Sequence, residues 1–161
     1  MTDVDTIPPL VRNADEAERR WFYGGGLHEW KVTSADSAGT FLLFEDTMDH
    51  GKRTPLHTHP VDETMYVLDG QLTVHVAGVD HTVSSGGVVI APRGVPHAFL
   101  VTSPTARVLW LHTPGTCEGF YRAASEPLDA ATQRTVDFER VRSAAQAAGG
   151  IDIIGPPPFG D

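Results

Sequence analysis

Between Thr40 and Thr113 short apolar runs recur between clusters of Gly, Pro, Asp and Ser, and this rhythm most constrains what the chain can become. Many short strands closing into a sandwich or barrel satisfy it, so the central region is read as all-β. Candidate strands are Thr40 to Glu45, Pro55 to His59, Glu63 to Leu68, Gln71 to Val76, Gly87 to Ala91, Ala98 to Thr102 and Arg107 to His112. Asp49-His50-Gly51, Leu68-Asp69-Gly70, Ser84-Ser85-Gly86-Gly87 and Pro92-Arg93-Gly94 supply residues that tolerate turn dihedrals between them.

The flanks have a different character. Residues 1–39 are read as an arm and edge segment with one sticky spot, Trp21-Phe22-Tyr23, followed by Gly24-Gly25-Gly26 and a short piece from Leu27 to Val32. Residues 40–113 make the β-domain, and residues 114–161 a helical extension packed on it. Phe138, Val141, Ala145 and Ala148 are spaced to share one helical face, with Asp137 as cap and Gly149-Gly150 as terminator. A shorter helix is expected from about Cys117 to Ala124, and Ile151-Asp152-Ile153-Ile154 as an extended piece stopped by prolines.

At 161 residues the chain suits one domain, and its 40% hydrophobic and 20% charged residues are globular proportions. No apolar run approaches the roughly 18 residues of a membrane span. A formal charge of -9 would repel a phosphate backbone, so neither nucleic acid nor an anionic membrane is expected as a partner. Met1 to Asn13 carries Asp3, Asp5 and two prolines where a secretory signal would have a basic start and an apolar core. One cysteine, Cys117, forms no internal disulfide. Together these favour a soluble cytoplasmic protein.

Eight histidines are the unusual component. His57 and His59 are two apart, so on a strand their side chains leave one face and can converge on one ion. Glu63 follows beyond a turn at Pro60, and His97 lies behind its own Gly-Pro turn. Three imidazoles and one carboxylate make a donor set for a borderline divalent metal. The remaining His28, His50, His75, His81 and His112 are read as ordinary core or surface residues, and Cys117 as an isolated thiol. Tyr66 and Phe99 are candidates for the lining of a substrate pocket, set against ordinary packing.

These residues resemble the two motifs of the cupin superfamily. The first runs Gly51, five residues, His57-Thr58-His59, three residues, Glu63, six residues, Gly70. The second runs Gly86, five residues, Pro92-Arg93-Gly94, two residues, His97, with Val101 where an asparagine is usual. The resemblance implies a jelly-roll β-barrel with one divalent transition metal (Fe, Mn, Ni, Co, Cu or Zn) on His57, His59, Glu63 and His97. Within the superfamily the chain is most similar to bacterial quercetin 2,3-dioxygenase-like proteins, through Trp21-Phe22-Tyr23-Gly24-Gly25, Tyr66-Val67-Leu68-Asp69-Gly70, Thr113-Pro114-Gly115 with Glu118-Gly119-Phe120, and Gly155-Pro156-Pro157-Pro158.

That likeness implies a metal-dependent dioxygenase acting with dioxygen on a flavonol-like or other enolisable aromatic small molecule, with Glu63 as the catalytic group that takes a proton. Two alternatives stand beside it. One is another small-molecule cupin enzyme, such as an isomerase, cyclase or tailoring enzyme, and the other is a non-catalytic metabolite-binding cupin. Trp21-Phe22-Tyr23 and unpaired strand edges further suggest a homodimer, as is common among cupins.

Overall fold

The computed structural model describes residues 7–160; residues 1–6, which include Asp3 and Asp5 of the N-terminal reading, and residue 161 lie outside the described residues. Two antiparallel sheets face each other across one core. The strands are β1 (Glu18–Phe22), β2 (Leu27–Val32), β3 (Leu42–Asp49), β4 (Leu56–Thr58), β5 (Asp62–Asp69), β6 (Gln71–Val76), β7 (Val79–Ser84), β8 (Val88–Ala91), β9 (His97–Val101), β10 (Thr105–Thr113), β11 (Ser125–Pro127) and β12 (Asp152–Gly155). The larger sheet runs β11-β1-β2-β3-β10-β5-β8, and the smaller runs β12-β4-β9-β6-β7. Strands this short, linked by turns and stacked face to face, give the jelly-roll architecture.

Alternation drives the packing. Along β10, Ala106, Val108, Trp110 and His112 are buried, while their neighbours on the strand are exposed or half-buried. Phe44, Met65, Val67, Leu72, Val74 and Val101 meet them from the other strands. Each such side chain fully buried contributes about 1.5–3 kcal/mol against leaving it in water. At Gly70, where the backbone φ is 88°, a Cβ would overlap the Thr105 carbonyl, so the turn from β5 to β6 needs glycine.

Strand β7 is absent from the expected set. Only Val83 of its six residues is buried, so the apolar alternation that marks a half-buried strand is nearly missing. Ala77 and Gly78, both at positive φ, nonetheless fold it back onto β6.

The N-terminal segment is less of an arm than its sequence suggests. β1 and β2 extend the larger sheet, with Trp30 buried in the core. Trp21-Phe22-Tyr23 is also not a free sticky patch. Phe22 packs on Phe120 and Tyr121, Trp21 Nε1 donates to the Thr135 carbonyl, and Arg140 lies over the Tyr23 ring. The three rings are thus half-buried against the chain's own C-terminal segment.

The C-terminal segment supplies α1 (Glu118–Ala123) and α2 (Phe138–Ala148). Asp137 caps α2 by accepting from the Arg140 amide, and Gly149 ends it at φ 69°. The buried face is Val141, Ala144 and Ala145, whereas Phe138 and Ala148 are exposed, a shift of the expected stripe by part of a turn. This face packs with Phe120, Ala124 and Ile151 into a second apolar cluster. Among the described residues no helix is long and apolar enough to cross a membrane.

Candidate metal centre

Two turns bring the polar residues together. His57 on β4 pairs directly with His97 on β9. The turn carrying Pro92-Arg93-Gly94 is tied down from both sides: the Gly94 amide donates to the His59 carbonyl at 2.9 Å, and Arg93 donates to Asp62 from its backbone and its guanidinium. Asp62 immediately precedes Glu63, so the two halves of the site are locked in register.

His57, His59 and His97 present nitrogens that lie within 4.8 Å of one another, with ring centroids 4.3 Å apart for His57 and His97 and 4.7 Å for His59 and His97. Their outer nitrogens are all engaged. Nδ1 of His57 donates to the Pro55 carbonyl at 2.8 Å, Nδ1 of His59 to the Val61 carbonyl at 3.0 Å, and Nδ1 of His97 to the Val95 carbonyl at 2.8 Å. A carbonyl only accepts, so these bonds place a proton on each Nδ1 and leave each Nε2 of a neutral ring as a lone pair aimed inward.

That arrangement creates a deficit of positive charge. His59 Nε2 lies 3.0 Å from Glu63 Oε2, and His97 Nε2 lies 3.6 Å from Glu63 Oε1 and is buried with no hydrogen-bond partner. Lone pairs facing a carboxylate in a buried site repel unless a cation stands among them. The donor set therefore fits a divalent metal, in the same tautomeric arrangement that outer hydrogen bonds impose on metal-binding histidines.

A fifth residue joins the cluster. His112 on β10 sits opposite Glu63 on β5, and its Nε2 lies 2.7 Å from Glu63 Oε2. The sequence alone marks His112 as an ordinary core or surface histidine, whereas the structure places it in direct contact with the carboxylate. Its inward position on β10 follows from the alternation with Ala106, Val108 and Trp110, a signal available in the sequence. Cys117 is buried nearby, but its Sγ faces the Gly150 carbonyl at 3.5 Å and not the cluster.

The electrostatics follow from this crowding. Burial raises the Glu63 pKa, but the close approach of His112, His59 and His97 outweighs it and holds the carboxyl well below the usual carboxylate range. Burial, reinforced by the neighbouring His97, pushes His57 down to about 4, which keeps it neutral and ready to ligate. His97 moves upward: its burial works against the shift, and Glu63 overcomes it.

The cluster opens onto a cavity walled by aromatic rings. Phe22, Phe44, Phe99, Trp110, Phe120 and Tyr121 line it, with His57 and Glu63 at one side and Asp46 and Lys52 among the other polar groups. Phe99 is thus part of the wall. Tyr66 is not: it points outward from β5 with 42% of its surface exposed, because it is out of phase with the buried Glu63, Met65 and Val67. Tyr121 and Phe120 come from α1, which alternation within the barrel could not have revealed. Behind Tyr121, His28 stacks at 5.5 Å and hydrogen-bonds Asp46 at 2.7 Å.

Residues 44–113 match the cupin domain family. Over those residues the chain is similar to a cupin domain. It is 25% identical over 126 residues to quercetin 2,3-dioxygenase of Bacillus subtilis (strain 168), a match covering 78% of this chain and 37% of that protein. The chain thus spans well under half of that relative's length. Among solved structures it superposes on KdgF from Halomonas sp. with a TM-score of 0.60 at 19% identity, covering 66% of this chain and 94% of that one. The polyketide cyclase RemF from Streptomyces resistomycificus superposes with a TM-score of 0.54 at 25% identity, covering 76% and 86%.

Proposed function

We propose that this cupin is a metal-dependent dioxygenase of the quercetinase-like type, acting on a flavonol-like or other enolisable aromatic small molecule. The observation that carries the reading is the set of inward-facing Nε2 lone pairs around Glu63, opening directly onto an aromatic-walled cavity. The likeness to a quercetin 2,3-dioxygenase supports it.

A divalent transition metal held by His57, His59, Glu63 and His97 would supply Lewis-acid stabilisation of a substrate oxyanion and a meeting point for substrate and dioxygen. The chain's own residues do the rest. Phe22, Phe99 and Trp110 hold an aromatic ring system by stacking and edge contacts, and they exclude water from the reacting carbons. Glu63, kept ionised by His112 and His59, accepts the proton of the enolic hydroxyl as it enters. His112 holds Oε2 in place, which leaves Oε1 as the oxygen free to take that proton. On a flavonol-like substrate, both atoms of dioxygen enter the ring-opened product and one ring carbon leaves as carbon monoxide.

The test is to load the protein with Fe, Mn, Ni, Co, Cu or Zn in turn, screen aromatic enols for binding without oxygen, then admit oxygen and measure carbon monoxide. Carbon monoxide released in step with oxygen uptake supports the reading. Turnover without oxygen uptake favours the second reading, a cyclase or related tailoring enzyme, to which the extent of the match to the polyketide cyclase lends weight. Binding with no turnover would make the chain a metabolite-binding cupin. Pairing of two chains would run along the open edge strand β8, where Val88 and Ile90 are each 60% exposed. Sedimentation at 17.4 kDa alone, at micromolar concentration, removes it.

A further inference from the structure

The cavity contains a cation that its own fold leaves incompletely used. Lys52 follows the turn after β3, and its backbone is clamped against β9: the Gly51 amide donates to the Val101 carbonyl and the Val101 amide donates to the Lys52 carbonyl at 2.8 Å. The side chain is thereby aimed inward. Its Nζ donates to the Gly24 carbonyl at 2.6 Å, lies 4.9 Å from the centre of the Phe22 ring and 5.9 Å from that of Phe99, and lines the same cavity as His57 and Glu63. An ammonium carries three donors, and among the described residues this one makes a single hydrogen bond and has no carboxylate within 4.0 Å. Gly24 makes room for it, since a Cβ at that position would stand 2.8 Å from Nζ.

A structural lysine has no need of this position. Anchoring one carbonyl would be satisfied by a neutral donor, and a surface lysine would extend its charge into water. We propose that Lys52 is a substrate-recognition residue, receiving an anionic oxygen carried on an aromatic ring that lies against Phe22 and Phe99. The substrate class is then an aromatic anion with one oxygen function directed to the histidine cluster and a second, charged one directed to Lys52. Burial pushes the Lys52 pKa down to about 8 with Asp46 opposing, so the ammonium still predominates at pH 7 and is poorly compensated until a ligand arrives.

The inference rests on the cavity being the substrate site, as in the proposed function, and its test is independent of oxygen chemistry. Binding of 2-naphthoate and of its neutral counterpart 2-naphthamide is measured by calorimetry at pH 7 on the full chain, both chelator-treated and zinc-loaded. Wild type should bind the anion at least ~10-fold more tightly than the amide in chelator-treated protein, as expected for a partly desolvated charge pair. Lys52→Met should remove that preference while leaving the amide affinity within about 2-fold, and Lys52→Arg should keep most of it. Thermal melts confirm that both variants are folded.

Equal binding of the two probes, no binding of either, or a preference that survives Lys52→Met overturns the proposal. So does a preference seen only with zinc, which would assign the carboxylate to the metal. A Lys52-dependent preference without carbon monoxide release would retire the dioxygenase and leave the recognition role standing; carbon monoxide release with a Lys52-independent preference would do the reverse.

Discussion

At the histidine end of the cavity, the three imidazoles are each fixed by a hydrogen bond to a carbonyl two residues away in sequence. At the aromatic end, the wall is assembled from residues nearly a hundred positions apart: Phe22 of β1 meets Phe120 and Tyr121 of α1, and Val141 of α2 packs behind them. One end is held by short-range hydrogen bonds inside a rigid pair of sheets, the other by apolar contact between the chain's two flanks. The histidine cluster can thus stay constant while the aromatic wall changes, and such independence lets one scaffold host several reactions.

Breaking the histidine end should have the largest effect. His97→Ala removes an Nε2 donor that faces Glu63 and has no other partner, so metal bound per chain, read by mass spectrometry, should fall from about one to near zero. The fold should persist, since the apolar core of both sheets is untouched. Retention of stoichiometric metal would show that the remaining four residues, His112 included, form the site without it.

Breaking the aromatic end should show the opposite pattern. Phe120 is 4% exposed at the centre of the second cluster, and Phe120→Ala should destabilise the protein by about 3–5 kcal/mol in denaturant unfolding. Metal content should stay near wild type. If metal is lost along with stability, the two ends are one cooperative unit and the contrast fails.

Two substitutions sharpen the histidine end from inside. Glu63→Gln keeps an oxygen donor and loses the base, so part of the metal should remain while turnover falls roughly 10²-fold or more on whichever substrate the oxygen screen identifies. Full activity would make Glu63 a ligand only. His112→Phe preserves burial and removes the bond that orients Oε2, so metal affinity should drop by about 10–100-fold in competition with a chelator. An unchanged affinity would mean that the carboxylate is positioned by the sheet alone.

The same contrast governs what could be read in advance. His57, His59, Glu63 and His97 were legible because two tight turns set their spacing, and turns are written locally in Pro and Gly. Their surroundings were less so. His112 belongs to the cluster through its register against Glu63 across two strands, which local sequence does not specify. Tyr66 and Phe99 looked alike as aromatics near the motifs, yet one faces solvent and the other the cavity, because a strand sends successive side chains to opposite faces. Phe22, Phe120 and Tyr121 became neighbours only through the packing of the flanks, and Lys52 took its place through the turn that clamps it to β9.

Cys117 gives the smallest expected signal and the most direct view of the terminal wall. The thiol is 1% exposed beneath α1, with Sγ against the Gly150 carbonyl that follows α2, so reagent can reach it only when that wall lifts. Burial, with the Glu63 charge adding to it, pushes its pKa up to about 11. A raised pKa favours the unreactive thiol: at pH 8 the thiolate fraction is on the order of 10⁻³, against roughly a quarter for a free cysteine. Iodoacetamide at pH 8 should therefore leave the native protein essentially unmodified over an hour while alkylating it fully in denaturant. Protection unchanged by adding or chelating metal would show that the aromatic end closes independently of the histidine end; rapid native alkylation would reveal a wall that opens readily, and with it a route for substrate between the helices and the barrel.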